Sequence, residues 1–385
     1  SGEPALKIAV LKETAKGEQR IAASPDAVKH YVKAGHDVSV VKGAGAGANF
    51  SDADFKAAGA KTVATNAAAV KAADLVLSIN GADAKLIAAM KKGAGLCGLM
   101  NPTDHPAYVK ACAKAGIIAF ALEYIPRISR AQSMDVLSSQ SNLAGYRSVV
   151  EAGTQYGRAF PMMMTAAGTI APAKVFIMGV GVAGLQAIAT ARRLGAVTTA
   201  TDVRPATKEQ VASLGAKFIA VENEEFKAAE TAGGYAKRMS PEYQALQAEL
   251  TATHVAKQDI VITTALIPGR AAPVLITKKM IETMKPGSVL IDLAIERGGN
   301  VEGAKPGEIV TTKNGVKIVG FLNWPSRMAA DSSALFARNL RNLLPLMTAE
   351  DASFAPDWDD EVIQGCALTK GGKIVNARLL PKKEG

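Results

Sequence analysis

The chain has 385 residues, of which 48% are hydrophobic and 21% charged, an ordinary globular balance that excludes wholesale disorder and sets a prior of two to three domains. Its formal charge of +10 is spread along the chain without a basic block, and only 5% of residues are aromatic, so neither a nucleic-acid tail nor a base-stacking platform is indicated. Cys97, Cys112, Cys366 and four His are too few and too scattered for a disulfide framework or a zinc module, which points to a reduced compartment and no metal.

Ser1-Gly2-Glu3-Pro4 lacks Met, reads as a cloning scar and is left out of the fold reading. Strand patterns are then expected at 8–11, 38–41, 75–79, 96–100 and 117–122, alternating with helical patterns at 25–34, 53–58, 84–90 and 106–115. That alternation predicts a parallel sheet covered on both faces. A long helix over 139–156 separates it from a second α/β block, with strands at 175–178, 197–201, 260–264, 289–293 and 317–319. The uncharged stretch 175–191 is too short to span a bilayer and is broken by Gly179, Gly181 and Gly184. A final helix over 325–346 needs an apolar surface, and the first block offers one. The expected fold is therefore α/β, with two Rossmann-like parallel-sheet domains joined by helices and a nucleotide cleft between them. The boundaries are 1–138 plus 326–385 for a discontinuous first domain and 139–325 for the second. The tail beyond Thr348, rich in Asp, reads as a loose surface segment. The dispersed positive charge suits an anionic membrane face, an acidic partner, a polyphosphate ligand or plain solvated surface.

Gly179-Val180-Gly181-Val182-Ala183-Gly184 fits G-x-G-x-x-G, directly after the apolar strand 175–178 and opening a helix over 185–194. The first Gly allows a tight turn, the second lets the backbone approach a pyrophosphate and the third permits close helix–strand packing. A free helix N-terminus then faces the phosphates. The next strand ends at Asp202, 23 residues after the first Gly, where a carboxylate accepts from ribose hydroxyls and repels a 2′-phosphate. That favours NAD(H), although Arg204 offers a phosphate a partner. The bland alternative is a packing turn with no ligand.

Arg127, Ser129, Arg130, Gln132, Ser133, Asp135, Ser138, Ser139 and Gln140, with Ile128 among them, form a run dense in hydrogen-bonding side chains at the junction of the two blocks. Such junctions hold ligands, and the bland alternative is a polar linker with Ser138 or Ser139 as helix cap. The run over 127–140 contains no His, Cys or Lys. Oxidising an alcohol or amine needs a proton acceptor of near-neutral pKa, whereas hydride transfer between two nicotinamides needs only close, oriented rings and excluded water. His105 reads as a surface loop residue. Asp292 and Glu296 follow a strand end and are as readily loop stabilisers as functional groups.

Residues 127–145 (RISRAQSMDVLSSQSNLAG), 161–168 (PMMMTAAG), the glycine turn with its helix, and 263–268 (TTALIP) together resemble the NAD(H)-binding component of proton-translocating NAD(P) transhydrogenase, over roughly residues 6–349. The resemblance implies a homodimer that binds NAD(H) and lies peripherally on the cytoplasmic face of a bacterial inner membrane. It passes hydride to NADP⁺ held by a separate component, while a membrane-spanning component couples transfer to proton movement. It further implies that Arg127, Gln132, Asp135 and Ser138 hold the nicotinamide and its ribose, with Ile128 and Ser129 beside them. Val180, Gly181 and Val182 take the pyrophosphate, and Asp202, Val203 and Arg204 surround the adenosine. Gly234, Tyr235, Gln247 and Leu266 complete the nucleotide contacts, and residues 222–241, with Gly233 and Gly234, correspond to a mobile loop. Alanine dehydrogenase is also similar end to end, including Lys12-Glu13, Arg20 and Pro286-Gly287, and Arg20 resembles its substrate-carboxylate Arg. Its catalytic Lys and His have no counterpart here, because the corresponding strands run into Asn80 and Asn101. A binding module that senses NAD without catalysis is the remaining alternative.

Overall fold

The computed structural model describes residues 6–231, 238–267 and 270–382, and the chain divides into two compact units, Ser1–Gln140 with Pro325–Gly385, and Ser141–Trp324. In the first unit β1 (Lys7–Val10), β2 (Asp37–Val41), β3 (Lys61–Val63), β4 (Leu75–Leu77), β5 (Gly95–Gly98) and β6 (Ile118–Ala121) form a sheet in the order β3-β2-β1-β4-β5-β6. Every pair in it is parallel. The intervening helices are α1 (Pro25–Lys33), α2 (Asp52–Ala57), α3 (Asn66–Lys71), α4 (Ala84–Ala89) and α5 (Pro106–Lys114). Their starts are fixed locally: Ser24 caps α1 with Pro25 in its first turn, Ser51 and Asp54 make a reciprocal capping box on α2, and Thr65 and Asp83 cap α3 and α4. β4 and β5 are buried along their whole length, as strands covered on both faces must be.

α6 (Val136–Gln155) follows, and the division between the units falls within it. The second unit then contains the hairpin β7 (Met163–Thr165) and β8 (Gly168–Ile170), followed by β9 (Lys174–Met178), α7 (Val182–Arg193), β10 (Val197–Thr201), α8 (Thr207–Ser213), β11 (Lys217–Phe218), α9 (Glu224–Thr231) and α10 (Pro241–Val255). β12 (Ile260–Thr263), α11 (Lys278–Glu282), β13 (Val289–Asp292), β14 (Ile309–Thr311) and β15 (Lys317–Val319) complete it. Its sheet order is β11-β10-β9-β12-β13-β15-β14, parallel except for the β14–β15 edge pair. Both sheets reverse direction of winding once, between β1 and β4 in the first and between β9 and β12 in the second.

Two expectations need correction, the final helix and the C-terminal tail. The helix over 325–346 is not continuous: a 3₁₀ turn at Trp324–Met328 leads into α12 (Ala329–Leu343), and a second at Leu344–Met347 closes it. Pro345 cannot continue the α-helical ladder, because it lacks the N–H and its ring clashes one turn back. Within the segment 222–241, α9 is helical with Phe226 and Ala229 buried, while Gly233, Gly234 and Tyr235 lie outside the described residues. The tail beyond Thr348 is not loose. It supplies α13 (Glu361–Cys366) and the short pair β16 (Thr369–Lys370) and β17 (Lys373–Ile374), and Val362, Ile363, Cys366 and Leu368 join the core of the first unit. Ala367 bridges Phe120 on edge strand β6, and Thr369 Oγ1 accepts from the Ala119 amide at 3.1 Å while donating to the Ile117 carbonyl at 2.8 Å.

Candidate nucleotide site

In the second unit the site grows from the end of β9. Val175, Phe176 and Ile177 are fully buried, so the chain leaves the sheet from a rigid strand. Gly179 has φ +102°, a left-handed value that L side chains rarely adopt, and a Cβ there would lie 2.6 Å from Thr264 Oγ1. Thr264, at the end of β12, donates its hydroxyl to the Gly179 carbonyl at 3.0 Å, so the loops after β9 and β12 are tied across the winding reversal. That is where open α/β sheets bind ligands. Gly184 packs its Cα against the Gly179 carbonyl, leaving no room for a side chain, whereas Gly181 faces open space. Gly181 is also the N-cap of α7 and has no side chain to satisfy the first amides of the helix. The turn thus presents a dense array of N–H donors on the positive end of a twelve-residue helix, beside a gap left by a missing Cβ. Such an arrangement is chemically suited to an anion.

Asp202 lies directly beyond β10. One carboxylate oxygen accepts the Val180 amide at 2.7 Å and the other accepts the Arg204 amide at 2.8 Å. The Arg204 guanidinium then forks onto both oxygens at 3.0 and 3.2 Å and reaches the Val180 carbonyl at 3.2 Å. Asp202 therefore shapes the glycine turn and is paired with Arg204, and Val203 between them is exposed. Gln247 accepts the Val221 amide at 3.0 Å, pinning the chain beyond β11. Leu266 is exposed beside the β12 loop. The scaffold behind that loop was not legible in the sequence. Asn300 accepts the Ala265 amide at 3.1 Å and donates to the Ala265 and Pro273 carbonyls at 2.9 and 2.8 Å. Asn300 is itself set by Asp292, which is fully buried and accepts the amides of Ala294, Asn300 and Val301. Burial pushes the Asp292 carboxyl up, against those three donors. Asp292 is thus a loop stabiliser, and Glu296 serves similarly, accepting the Asn323 amide at 2.6 Å.

In the first unit the polar run 127–140 forms a 3₁₀ turn, Ser129–Met134, followed by the start of α6. Asp135 caps α6, accepting the Ser138 amide at 3.0 Å and the Ser138 hydroxyl at 2.6 Å; the cap is neither Ser138 nor Ser139. Arg127, Ser129 and Gln132 are exposed, Ile128 half-buried, and Ala131 and Met134 anchor the turn in the core. Arg130 pairs with Asp360 through two bonds, at 2.8 and 3.1 Å. His105 is exposed at the start of α5 and makes no capping bond.

Beyond the ends of β1 and β4 the first unit holds a buried charged network beside a recess of about 280 Å³ lined by Lys12, Glu13, Asn80 and Tyr108 among others. Arg20 is only 5% exposed, and Glu18 grips it through Nε at 3.0 Å and a terminal nitrogen at 2.7 Å, while Gln140 Oε1 accepts from it at 2.9 Å. Burial raises the Glu18 carboxyl, but the Arg20 bond and charge outweigh it and hold Glu18 down at about 2. Asn80 bonds Glu18 at 2.9 Å, and Glu13 accepts the Ile79 and Asn80 amides at 3.1 and 2.9 Å. Burial dominates at Glu13 and lifts it to about 7 despite those donors. Asn101, at the other expected catalytic position, sits at φ +45° and bonds Asp104. Among the described residues there is no His/Cys/Asp/Glu cluster suited to a metal, and no helix long and apolar enough to cross a membrane.

Two family descriptions tile this chain: the alanine dehydrogenase/PNT N-terminal domain matches residues 9–144 and the alanine dehydrogenase/PNT C-terminal domain residues 148–377. The chain belongs to the alanine dehydrogenase/PNT family. It is 54% identical over 383 residues to the first part of the NAD(P) transhydrogenase alpha subunit of Rhodospirillum rubrum, covering 97% of this chain and 99% of that protein. The solved structure of transhydrogenase from Sinorhizobium meliloti superposes with a TM-score of 0.87 at 51% identity, over 96% of this chain and all of that one. Alanine dehydrogenase of Halomonas elongata is 33% identical, over 85% of this chain and 84% of its own. The family and these relatives imply that the chain binds NAD(H).

Proposed function

We propose that this chain is the NAD(H)-binding component of a proton-translocating transhydrogenase. It receives NADH on the glycine turn and delivers hydride to NADP⁺ held by a separate partner component, and a membrane-spanning component couples that transfer to proton movement. The observation that carries this reading is end-to-end identity of 54% with the first part of a transhydrogenase alpha subunit, on a chain whose α7 N-terminus is left open for a pyrophosphate.

In this reading Gly179, Val180, Gly181, Val182, Ala183 and Gly184 carry the pyrophosphate. Asp202, Val203 and Arg204 surround the adenosine, with Gln247, Leu266, Gly234 and Tyr235 as further contacts. Arg127, Gln132, Asp135 and Ser138 hold the nicotinamide and its ribose, with Ile128 and Ser129 adjacent. The chemistry asks for orientation and no base. The first unit supports that choice: Arg20 is already occupied by an internal carboxylate, and Asn80 stands where an amino-acid dehydrogenase needs Lys. The domain reading assigns the nicotinamide contacts to the discontinuous first domain and the rest to the second. The chain acts as a homodimer, peripheral to the cytoplasmic face of a bacterial inner membrane. Support for self-association comes from the hairpin β7–β8, which exposes Met162, Met163, Met164 and Ile170, an apolar patch of the kind that interfaces cover.

The deciding experiment titrates the purified chain with NADH, followed by fluorescence, then adds pyruvate and ammonium, and finally the NADP⁺-loaded partner component. The expected result is saturable binding, a signal that persists with pyruvate and ammonium, and oxidation only when the partner is present. Turnover with pyruvate and ammonium alone would make this an alanine dehydrogenase. Binding with no oxidation under either condition would make it a sensing module.

A further inference from the structure

The turn that carries Gln132 is held from outside. A 3₁₀ turn has poor internal hydrogen-bond geometry and is used in short pieces, and within Ser129–Met134 only Ala131 and Met134 are buried. Three external contacts fix its course. Arg130 is forked onto Asp360. Asp135 caps α6. Between them, immediately after Gln132, the Ser133 carbonyl accepts from Asn339 Nδ2 at 2.8 Å and from Asn342 Nδ2 at 3.0 Å.

The Asn pair is unusual in its economy. Asn339 and Asn342 stand at i and i+3 on α12, hence on one face of the helix, and together they donate to both lone pairs of a single carbonyl. Asn339 is 8% exposed, although a buried amide is costly unless bonded. Its own oxygen accepts from Ser139 Oγ at 2.8 Å, Ser139 accepts from Gln140 at 3.1 Å, and Gln140 accepts from Arg20 at 2.9 Å. Gln140 also donates to the Ser332 carbonyl, back on α12, at 3.0 Å. A continuous polar network thus runs from the forked Glu18–Arg20 pair to the carbonyl adjoining Gln132. Apolar packing alone would hold α12 on this unit, since Phe336, Ala337, Leu340 and Leu343 are already in its core. The amides add position.

We propose that Asn339 and Asn342 are positioning residues for hydride transfer: by clamping the Ser133 carbonyl they set where Gln132 projects, without touching nucleotide themselves. This rests on the reading above in which Gln132 orients the nicotinamide. Near-attack geometry is steep, and a displacement of about 1 Å costs on the order of 100-fold in rate. The clamp therefore acts on the transfer step and leaves NADH affinity to the glycine turn.

The test uses the full chain with its NADP⁺-loaded partner component and three readouts on Asn339→Ala, Asn342→Ala and Asn342→Gln. Amide hydrogen exchange across 131–135 should accelerate in both alanine variants and not elsewhere in the first unit. Single-turnover hydride transfer should slow by about 10- to 100-fold in Asn339→Ala and by less in Asn342→Ala, while the NADH dissociation constant stays within about twofold. Asn342→Gln, which keeps a donor, should recover some of the loss. Asn342 is half-buried, so Asn342→Ala remains informative if Asn339→Ala fails to fold. Transfer at the wild-type rate in Asn342→Ala and any folded Asn339→Ala, or equal losses in affinity and rate, would overturn the proposal. Gln132→Ala separates the two levels. If it also transfers normally, the role given to Gln132 is wrong. If it is slow while the Asn variants are normal, only the clamp is wrong.

Discussion

Asp202 has two tasks, shaping the glycine turn through the Val180 amide and holding Arg204 by a forked pair. Asp202→Ala should weaken NADH binding by about 1–3 kcal/mol, the range for losing charge-assisted hydrogen bonds. Asp202→Asn keeps the size and one acceptor for Val180, so it should fold normally and lose less; unchanged NADH affinity in the alanine variant would remove the adenosine assignment. Glu13 makes a different prediction. Its folded pKa of about 7 stands above the ordinary 4.5, so the folded chain keeps a proton that the unfolded chain has released. Stability should therefore fall as pH rises from about 4.5 to about 7, by on the order of 2 kcal/mol after allowing for partial exposure. Glu18 acts in the opposite sense in a separate window: its stabilisation is complete above about 4.5 and is lost as pH falls toward about 2. Urea unfolding at pH 5 and pH 8 checks this, because Glu13→Gln should abolish most of the difference. At this scale the glycines and Asp202 were legible because a motif fixes their spacing. Asn300, Thr264, Asn339 and the Glu18–Arg20 pair were not, since nothing local marks the contacts they make, most of them with partners far away in sequence.

Among the elements, the two helix-opening glycines separate packing from binding. A Cβ at Gly184 would strike the Gly179 carbonyl, a backbone atom that cannot step aside, whereas a Cβ at Gly181 meets open space. Gly184→Ala should cost about 1–3 kcal/mol of stability by overpacking. Gly181→Ala should leave the unfolding midpoint nearly unchanged yet impair NADH binding, and a Gly181→Ala chain that binds normally would contradict the pyrophosphate role given to the turn. The hairpin β7–β8 gives a second contrast: Met164, 81% exposed, should tolerate Lys without loss of fold, while sedimentation shifts toward monomer. Interior strands such as β9 and β12 were readable as apolar runs. β3, β11 and β14 escaped because two or three half-exposed residues carry no periodicity. α10 escaped because only Tyr243, Thr251 and Val255 of its fifteen residues are buried, too few to draw an apolar stripe.

For the chain as a whole, the largest departure from expectation is the C-terminal segment, whose Asp content suggested a loose tail. Composition misled because an acidic residue does structural work here: Asp360 caps α13 and holds Arg130 from far away in sequence, while the apolar residues after it complete a core. Removing residues after Thr348 should therefore uncover β6 and the buried Cys97 neighbourhood, with aggregation or a markedly lowered melting temperature, since an exposed sheet edge invites pairing. A truncated chain as stable as the full one would show that the segment is dispensable. The same arrangement sets an order of events during synthesis. Residues 141–324 are continuous and can complete their sheet as soon as they emerge, but the first unit, begun earlier, waits for Pro325 onward. At roughly 5–20 residues per second the ribosome takes on the order of ten to forty seconds to make the intervening stretch. Through that interval the nascent first sheet has α12 and α13 missing, so this half of the protein is the client that a chaperone would need to shelter.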